Sequence, residues 1–180
     1  MSNSRRQIEA WLKTIDVSGS VLDIGGLFWP VKGRTKSWNV PEYKILDVKS
    51  HRKGVIADYV FDLNRTKLAL PYAHFENAFC IEVTDHFWNP ITAFLNISAT
   101  LKQGANLYIS SNFLFPHHTG LDCARFTRTG LSKILSETSF EVLEITPRIA
   151  YAALASVMAA ESKVDYAPDE IGYMIKARRI

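Results

Sequence analysis

Val21-Leu22-Asp23-Ile24-Gly25-Gly26 is the stretch on which the rest of the chain turns. A short aliphatic run followed by a glycine pair suits a buried strand feeding a tight turn, because glycine tolerates positive φ and lets its backbone approach a neighbour or a ligand. Taken alone, such a turn serves equally well as plain punctuation after a strand. What surrounds it decides.

Upstream, Ile8, Trp11, Leu12 and Ile15 recur at helical spacing between Ser4 and Val17, and Ser18-Gly19-Ser20 ends the pattern, so residues 1–19 read as a leading helix. Downstream, residues 27–43 hold Pro30, Gly33 and Pro41 without a 3.6-residue stripe and read as irregular. Strands are expected from Tyr43 to Val48 with Asp47 near its end, near Ala57 to Leu63 with Asp62 near its end, and from Ala78 to Val83 running into Thr84-Asp85-His86. A helix face of Ile91, Phe94, Leu95, Ile97 and Leu101 follows Pro90, with Gly104 as its stop, and a strand from Ala105 to Ser111 comes next. Beyond a loop rich in Phe, His and Gly, Thr127 or Thr129 caps a helix with Leu131, Ile134 and Leu135 inside, and a strand from Phe140 to Thr146 comes directly after it. An alanine-rich helix from Ile149 to Ser162, a polar connector and a last strand from Ile171 to Ala177 complete an α/β core over residues 20–177.

Strands alternating with helices imply a Rossmann-like, mostly parallel sheet with helices on both faces, and ligands of such sheets sit beyond the carboxyl ends of the strands. The length of 180 residues suits a single domain. A composition 47% hydrophobic and 22% charged excludes a disordered chain, and a net charge of +3 with dispersed basic residues gives no indication of nucleic acid. No apolar run approaches the roughly 20 residues of a membrane span, and the amino-terminal residues lack a secretory signal, so the expectation is a cytoplasmic protein. Cys80 and Cys123 lack the CxxC spacing of a zinc or redox site.

Asp47 lies 22 positions after Gly25, about where nucleotide-binding α/β folds place the carboxylate that accepts the ribose hydroxyls, although an acid merely ending an exposed strand fits that spacing as well. The ordered series Val21-Leu22-Asp23-Ile24-Gly25-Gly26, Lys44-Ile45-Leu46-Asp47, Val60-Phe61-Asp62-Leu63 with Leu70-Pro71-Tyr72, Asp85-His86 before Pro90, and Leu101-Lys102-Gln103-Gly104-Ala105 resembles class I S-adenosylmethionine-dependent methyltransferases over nearly the whole chain. Phe115-Pro116-His117-His118, Asp122, Arg125-Phe126-Thr127 and Gly130-Leu131 resemble a loop and helix cap of methyltransferase-like proteins associated with sugar and polysaccharide biosynthesis. The resemblance implies a seven-stranded sheet of order 3-2-1-4-5-7-6, its last strand antiparallel. It further implies S-adenosyl-L-methionine over strands 1 and 2, Asp47 on the ribose, Asp62 on the adenine amine, and Asp23, Gly25, Gly26 and Asp85 among the cofactor-binding residues.

In the family's acid-x-Gly-x-Gly-x-Gly pattern, counted from Asp23, the glycine positions fall on Gly25, Leu27 and Trp29, so only the first is kept. Two function classes therefore stand side by side: an O-methyltransferase of a small or sugar-linked acceptor, and a member of the fold with an altered cofactor site that serves as a binding or assembly partner. A dehydrogenase-like nucleotide enzyme is a third. Methyl transfer to a hydroxyl needs a base within hydrogen-bond reach. His117 and His118 in the loop after the fifth strand, oriented by Asp122, are the first candidates, and His86 is the next.

Aromatic residues at strand ends, Phe28, Trp29, Phe87, Trp88, Phe113 and Phe115, either line an acceptor pocket or pack on each other or on a second subunit. Arg125 is expected to pair with Asp122 or Asp85, and Lys32, Arg34 and Lys36 to form a solvated basic loop. His117, His118, Asp122 and Asp85 mix imidazole and carboxylate as metal ligands do, but adjacent histidines point poorly at one ion, so no metal is expected.

Overall fold

The computed structural model describes residues 2–52, 54–66, 69–115, 120, 122–149 and 170–180. Helix α1 (Asn3–Leu12) opens the chain with Ser2 as its cap, and it buries Ile8, Trp11 and Leu12. It stops one turn earlier than the apolar spacing suggests. Ile15 belongs to an extended stretch whose strand β1 (Asp16–Ser18) pairs in parallel with β3 (Ser37–Asn39), a two-stranded flap outside the main sheet.

The main sheet is built from β2 (Val21–Ile24), β4 (Tyr43–Asp47), β7 (Tyr59–Val60), β8 (Phe75–Ile81), β9 (Leu101–Asn112), β10 (Phe140–Ile149) and β11 (Glu170–Arg179). Its order is β10-β11-β9-β8-β2-β4-β7. Counted along the chain from the other edge this is 3-2-1-4-5-7-6, as the motif order implies, and β11 is antiparallel to both of its neighbours. Right-handed crossovers place β4 and β8 on opposite sides of β2, so the strand order reverses at the carboxyl end of β2.

Side chains on the sheet alternate between two cores. Leu22, Ile24, Ala78, Cys80, Leu107 and Ile109 pack against α2 (Pro90–Thr100) and α3 (Arg128–Glu137) through Phe94, Ile97, Leu131 and Leu135. Val21, Phe79, Tyr108 and Met174 pack on the other face against Ile8, Trp11 and Leu12 of α1. Asn89 and Thr127 cap α2 and α3 by accepting from Thr92 N and Gly130 N.

Three expectations change. Gly104, read as the stop of the preceding helix, lies inside β9 at φ +78°, within a bulge between Leu101, which pairs with Phe75, and Asn106, which pairs with Asn77; α2 itself ends at Thr100. The third strand shrinks to Tyr59–Val60, which alone pair with β4, and the segment before it holds a small antiparallel pair, β5 (His51–Arg52) with β6 (Val55–Ile56). The strands around Phe140 and Ile171 extend further than their apolar cores, to Ile149 and Arg179, because the antiparallel ladder between them continues through polar residues. The alanine-rich helix expected from Ile149 to Ser162 lies, after Ile149, outside the described residues. Residues 27–36 hold no regular element, in keeping with Pro30 and Gly33.

Candidate functional site

A cleft of about 550 Å³ opens where β8, β2, β4 and β7 end together. This is within the range of small-molecule sites, about 300–1,000 Å³, and it lies at the switch point where such sheets bind ligands. The cleft is organised from Asp23 outward. Its side chain is buried and accepts hydrogen bonds from Val31 N at 2.7 Å and from the Tyr43 hydroxyl, so it pulls the loop after β2 back over the strand. Burial pushes the Asp23 carboxyl up to about 6, against the pull of those two hydrogen bonds. Tyr43 is driven above its usual range by burial and by the neighbouring carboxylate. Gly26 has to be glycine because a Cβ there would lie 2.6 Å from the Asp23 carboxyl carbon, and Gly25, at φ +75°, would place one 2.5 Å from Val83 Cγ2.

Helix-like support for this loop comes from an unexpected direction. Arg34 donates to Glu9 through Nε at 3.1 Å and Nη2 at 2.7 Å, and to the Trp29 carbonyl through Nη1 at 2.9 Å, which ties the loop to α1. Lys36 pairs with Asp16 in an exposed surface ion pair, so of the basic residues expected to be solvated it is Arg34 that is drawn into the structure. Leu27 is buried against Ile45 and Ala57 and contributes to the cleft wall rather than filling its volume. Phe28 and Trp29, 45% and 57% exposed, stand edge to face at the rim beneath the guanidinium groups of Arg52 and Arg5, at 3.7 Å and 4.9 Å from the ring centroids. The bulky residues at the lost glycine positions therefore leave the cavity open.

Asp47 lines the cleft at the end of β4, with Oδ1 accepting from Lys49 N at 3.2 Å. Asp62 lines it after β7 and accepts from Asn64 N at 3.0 Å and Asn64 Nδ2 at 2.8 Å, while Asn64 Oδ1 accepts from Asn89 N at the start of α2. The two carboxylates thus stand on adjacent elements, and apolar Ile24, Leu46 and Leu63 line the same cleft. His86 and Phe87 also line the cleft.

Other candidates lie elsewhere. Asp85 sits in a 3-10 turn, Thr84–His86, buried and outside the lining; its carboxyl is raised by burial and its Oδ1 has no partner among the described residues. Its carbonyl accepts from Cys123 N at 2.7 Å and Ala124 N at 3.1 Å. Asp122 forms a two-pronged ion pair with Arg125, one contact being 2.6 Å, beside a second, shallower depression that Phe115 and Cys123 share. Trp88, Phe113 and Phe115 do not join Phe28, Trp29 and Phe87 at the cleft. His117 and His118 lie outside the described residues.

Sequence reasoning missed Arg5, Glu82 and Arg148. Arg5 reaches the cleft from α1, where its buried Nη2 has no hydrogen-bond partner among the described residues. Helical spacing marks Arg5 only as a polar position, and nothing in the local sequence marks Glu82 or Arg148.

No family model and no curated protein matches the sequence. Solved structures do. An S-adenosylmethionine-dependent methyltransferase from Mesorhizobium loti superposes with a TM-score of 0.68 at 14% identity, covering 98% of each chain. The 1,6-didemethyltoxoflavin N1-methyltransferase of Burkholderia thailandensis, solved with 1,6-didemethyltoxoflavin and S-adenosylhomocysteine, superposes at 0.62 and 14% identity over 98% of this chain and 78% of that one. The [4+2]-cyclase SpnF superposes at 0.63 and 14% identity over 98% and 81%. At such identities the likeness is one of architecture: the chain has the fold of class I S-adenosylmethionine-dependent methyltransferases.

Proposed function

We propose that the protein binds S-adenosylmethionine in the cleft and methylates a small-molecule or sugar-linked acceptor at oxygen. The observation that carries this reading is the pair of carboxylates, Asp47 and Asp62, at the ends of adjoining strands beside a glycine turn and an open cavity. The donor set fits the cofactor. Asp47 would accept the ribose hydroxyls, Asp62 and its Asn64 neighbour would face the adenine, and Ile24, Leu46 and Leu63 would hold the base between apolar walls. Arg5, which lines the cleft, would face the carboxylate of the amino-acid end. When bound, S-adenosylmethionine supplies a methyl carbon activated by its sulfonium.

The chain's own residues orient and shield. Asp23 fixes the turn from a buried position, the Phe28 and Trp29 rings stand at the rim, and His86 lies within the lining as a candidate base. His117, His118 and Asp122 stay proposals of the same kind, as does Asp85 behind His86. Sugar or polysaccharide chemistry is proposed from the loop motif at residues 115–131. A cytoplasmic setting accords with Cys80 and Cys123 as free thiols, and no described helix is long and apolar enough to cross a membrane.

A second reading, a binding or assembly partner with an altered cofactor site, draws on Leu27 and Trp29 at lost glycine positions and loses force because neither fills the cavity. That a cyclase shares the architecture keeps fold and activity separate. Calorimetric titration with S-adenosylmethionine and S-adenosylhomocysteine tests the proposal. Micromolar binding that Asp47→Ala weakens by about tenfold or more, as expected for lost charge-assisted hydrogen bonds, supports it. Absence of heat at millimolar ligand rejects it.

A further inference from the structure

Glu82 directly follows β8 in a left-handed backbone conformation, φ +60°. A glutamate held there costs on the order of 1–3 kcal/mol, and such strain gathers at sites of function. A buried polar network imposes it. The Glu82 amide donates to Ser110 Oγ at 2.8 Å, the Ser110 hydroxyl donates to Glu82 Oε1 at 3.0 Å, and Arg148 Nη1 donates to the same oxygen at 2.7 Å. Arg148, 1% exposed, also donates to Asn112 Oδ1 at 3.0 Å and to Ser4 Oγ on α1. Gly172 lies beside the network and is held to glycine by the strand it pairs with, since a Cβ there would lie 2.4 Å from the Ser111 carbonyl oxygen.

A buried ion pair adds little to stability once desolvation is counted, so the network calls for another purpose. It loads one carboxylate oxygen and leaves the other. Both side-chain donors go to Oε1, Oε2 receives none among the described residues, and Glu82 lines the cleft. The sheet order fixes which end of the cleft this is. Asp47 and Asp62 belong to the β4 and β7 side, whereas Glu82 follows β8 on the far side of β2, next to Val83, which abuts Gly25. A nucleoside held by the two aspartates directs its reacting end toward Glu82.

Resting on the cofactor reading above, we propose that Glu82 is a catalytic residue that takes the proton of an uncharged alcohol or phenol acceptor, with Arg148 and Ser110 as positioning residues. The acceptor oxygen forms the new carbon–oxygen bond, and the carbon–sulfur bond breaks with its electron pair passing to sulfur. The hydroxyl proton goes to Glu82 Oε2. Charge is conserved: the sulfonium becomes a neutral thioether as the carboxylate becomes a carboxylic acid.

The test needs no knowledge of the acceptor. Sinefungin is an analogue of the cofactor that sets an ammonium group where the transferred methyl would lie. Calorimetry of the full chain with sinefungin and S-adenosylhomocysteine then reads the carboxylate directly. Wild-type protein should bind sinefungin about tenfold more tightly or better, as one charge-assisted hydrogen bond predicts. Glu82→Gln should bring the two ligands to within about twofold of each other by losing that same bond, while S-adenosylhomocysteine affinity is unchanged; Ser110→Ala should give an intermediate ratio.

No preference in the wild type overturns the proposal, whether or not any variant folds. So does a preference that survives in Glu82→Gln. Equal weakening of both ligands by Glu82→Gln also overturns it, because that result assigns Glu82 to the amino-acid ammonium. If neither ligand binds the wild type, the cofactor reading fails first, and this proposal fails with it.

Discussion

Replacing Asp23 with asparagine removes one ionisable group from beneath the glycine turn and keeps an oxygen to accept from Val31 N and the Tyr43 hydroxyl. In the folded protein burial raises the Asp23 carboxyl from 3.8 to about 6. A group whose folded pKa lies above its unfolded value contributes stability that is fully present below the unfolded pKa and lost as pH rises through the folded one. The wild type should therefore lose stability between about pH 4 and pH 7 through this residue, by roughly 3 kcal/mol for a two-unit shift at about 1.4 kcal/mol per unit. Asp23→Asn cannot ionise. Urea unfolding of both proteins at intervals from pH 4 to pH 7 isolates the effect, because every other titrating group is common to the two. The stability of Asp23→Asn relative to wild type should climb by about that roughly 3 kcal/mol across the range. Tyr43→Phe removes a donor that favours the ionised form, so the midpoint of its loss should move to higher pH. A difference that stays flat, or falls with pH, would refute the assignment of Asp23 as a buried anchor.

Two further outcomes rest on the same turn and its neighbour on α1. Gly25→Ala meets both a positive φ and Val83 Cγ2, and should lower stability by about 1–3 kcal/mol; thermal melts of Gly25→Ala with Val83→Ala should recover only the part due to the clash. Arg5→Ala should weaken S-adenosylhomocysteine by about tenfold, the loss of one charge-assisted contact, and leave adenosine unaffected in calorimetry, since Arg5 serves the amino-acid end.

The architecture was legible because each central strand carries its own apolar run and each acid marks a carboxyl end. Asp47 and Asp62 reach one cleft for that reason, and the strand order is the one that the resemblance of the ordered motifs implies. What escaped depends on contacts between distant residues. Gly104 looks like a helix stop until β9 is seen to need a left-handed residue in its bulge. The bulky Leu27, Phe28 and Trp29 at and between the lost glycine positions do not fill the cleft, because Leu27 packs on Ile45 and Ala57 while the rings lie under Arg5 and Arg52. Asp122 forms one of the two pairings expected of Arg125, beside a separate depression, and the histidines it was expected to orient lie outside the described residues. Glu82 is invisible in the sequence, since its role arises from Arg148, 66 residues further along the chain.

The most direct test is a crystal structure of the protein grown with S-adenosylhomocysteine. The account predicts the ribose hydroxyls on the Asp47 carboxylate, the adenine beside Asp62, the amino-acid end reaching Arg5, and the Leu27, Phe28 and Trp29 side chains where they stand without ligand. Density for the nucleoside anywhere else, or a cleft that stays empty at saturating ligand, would contradict it.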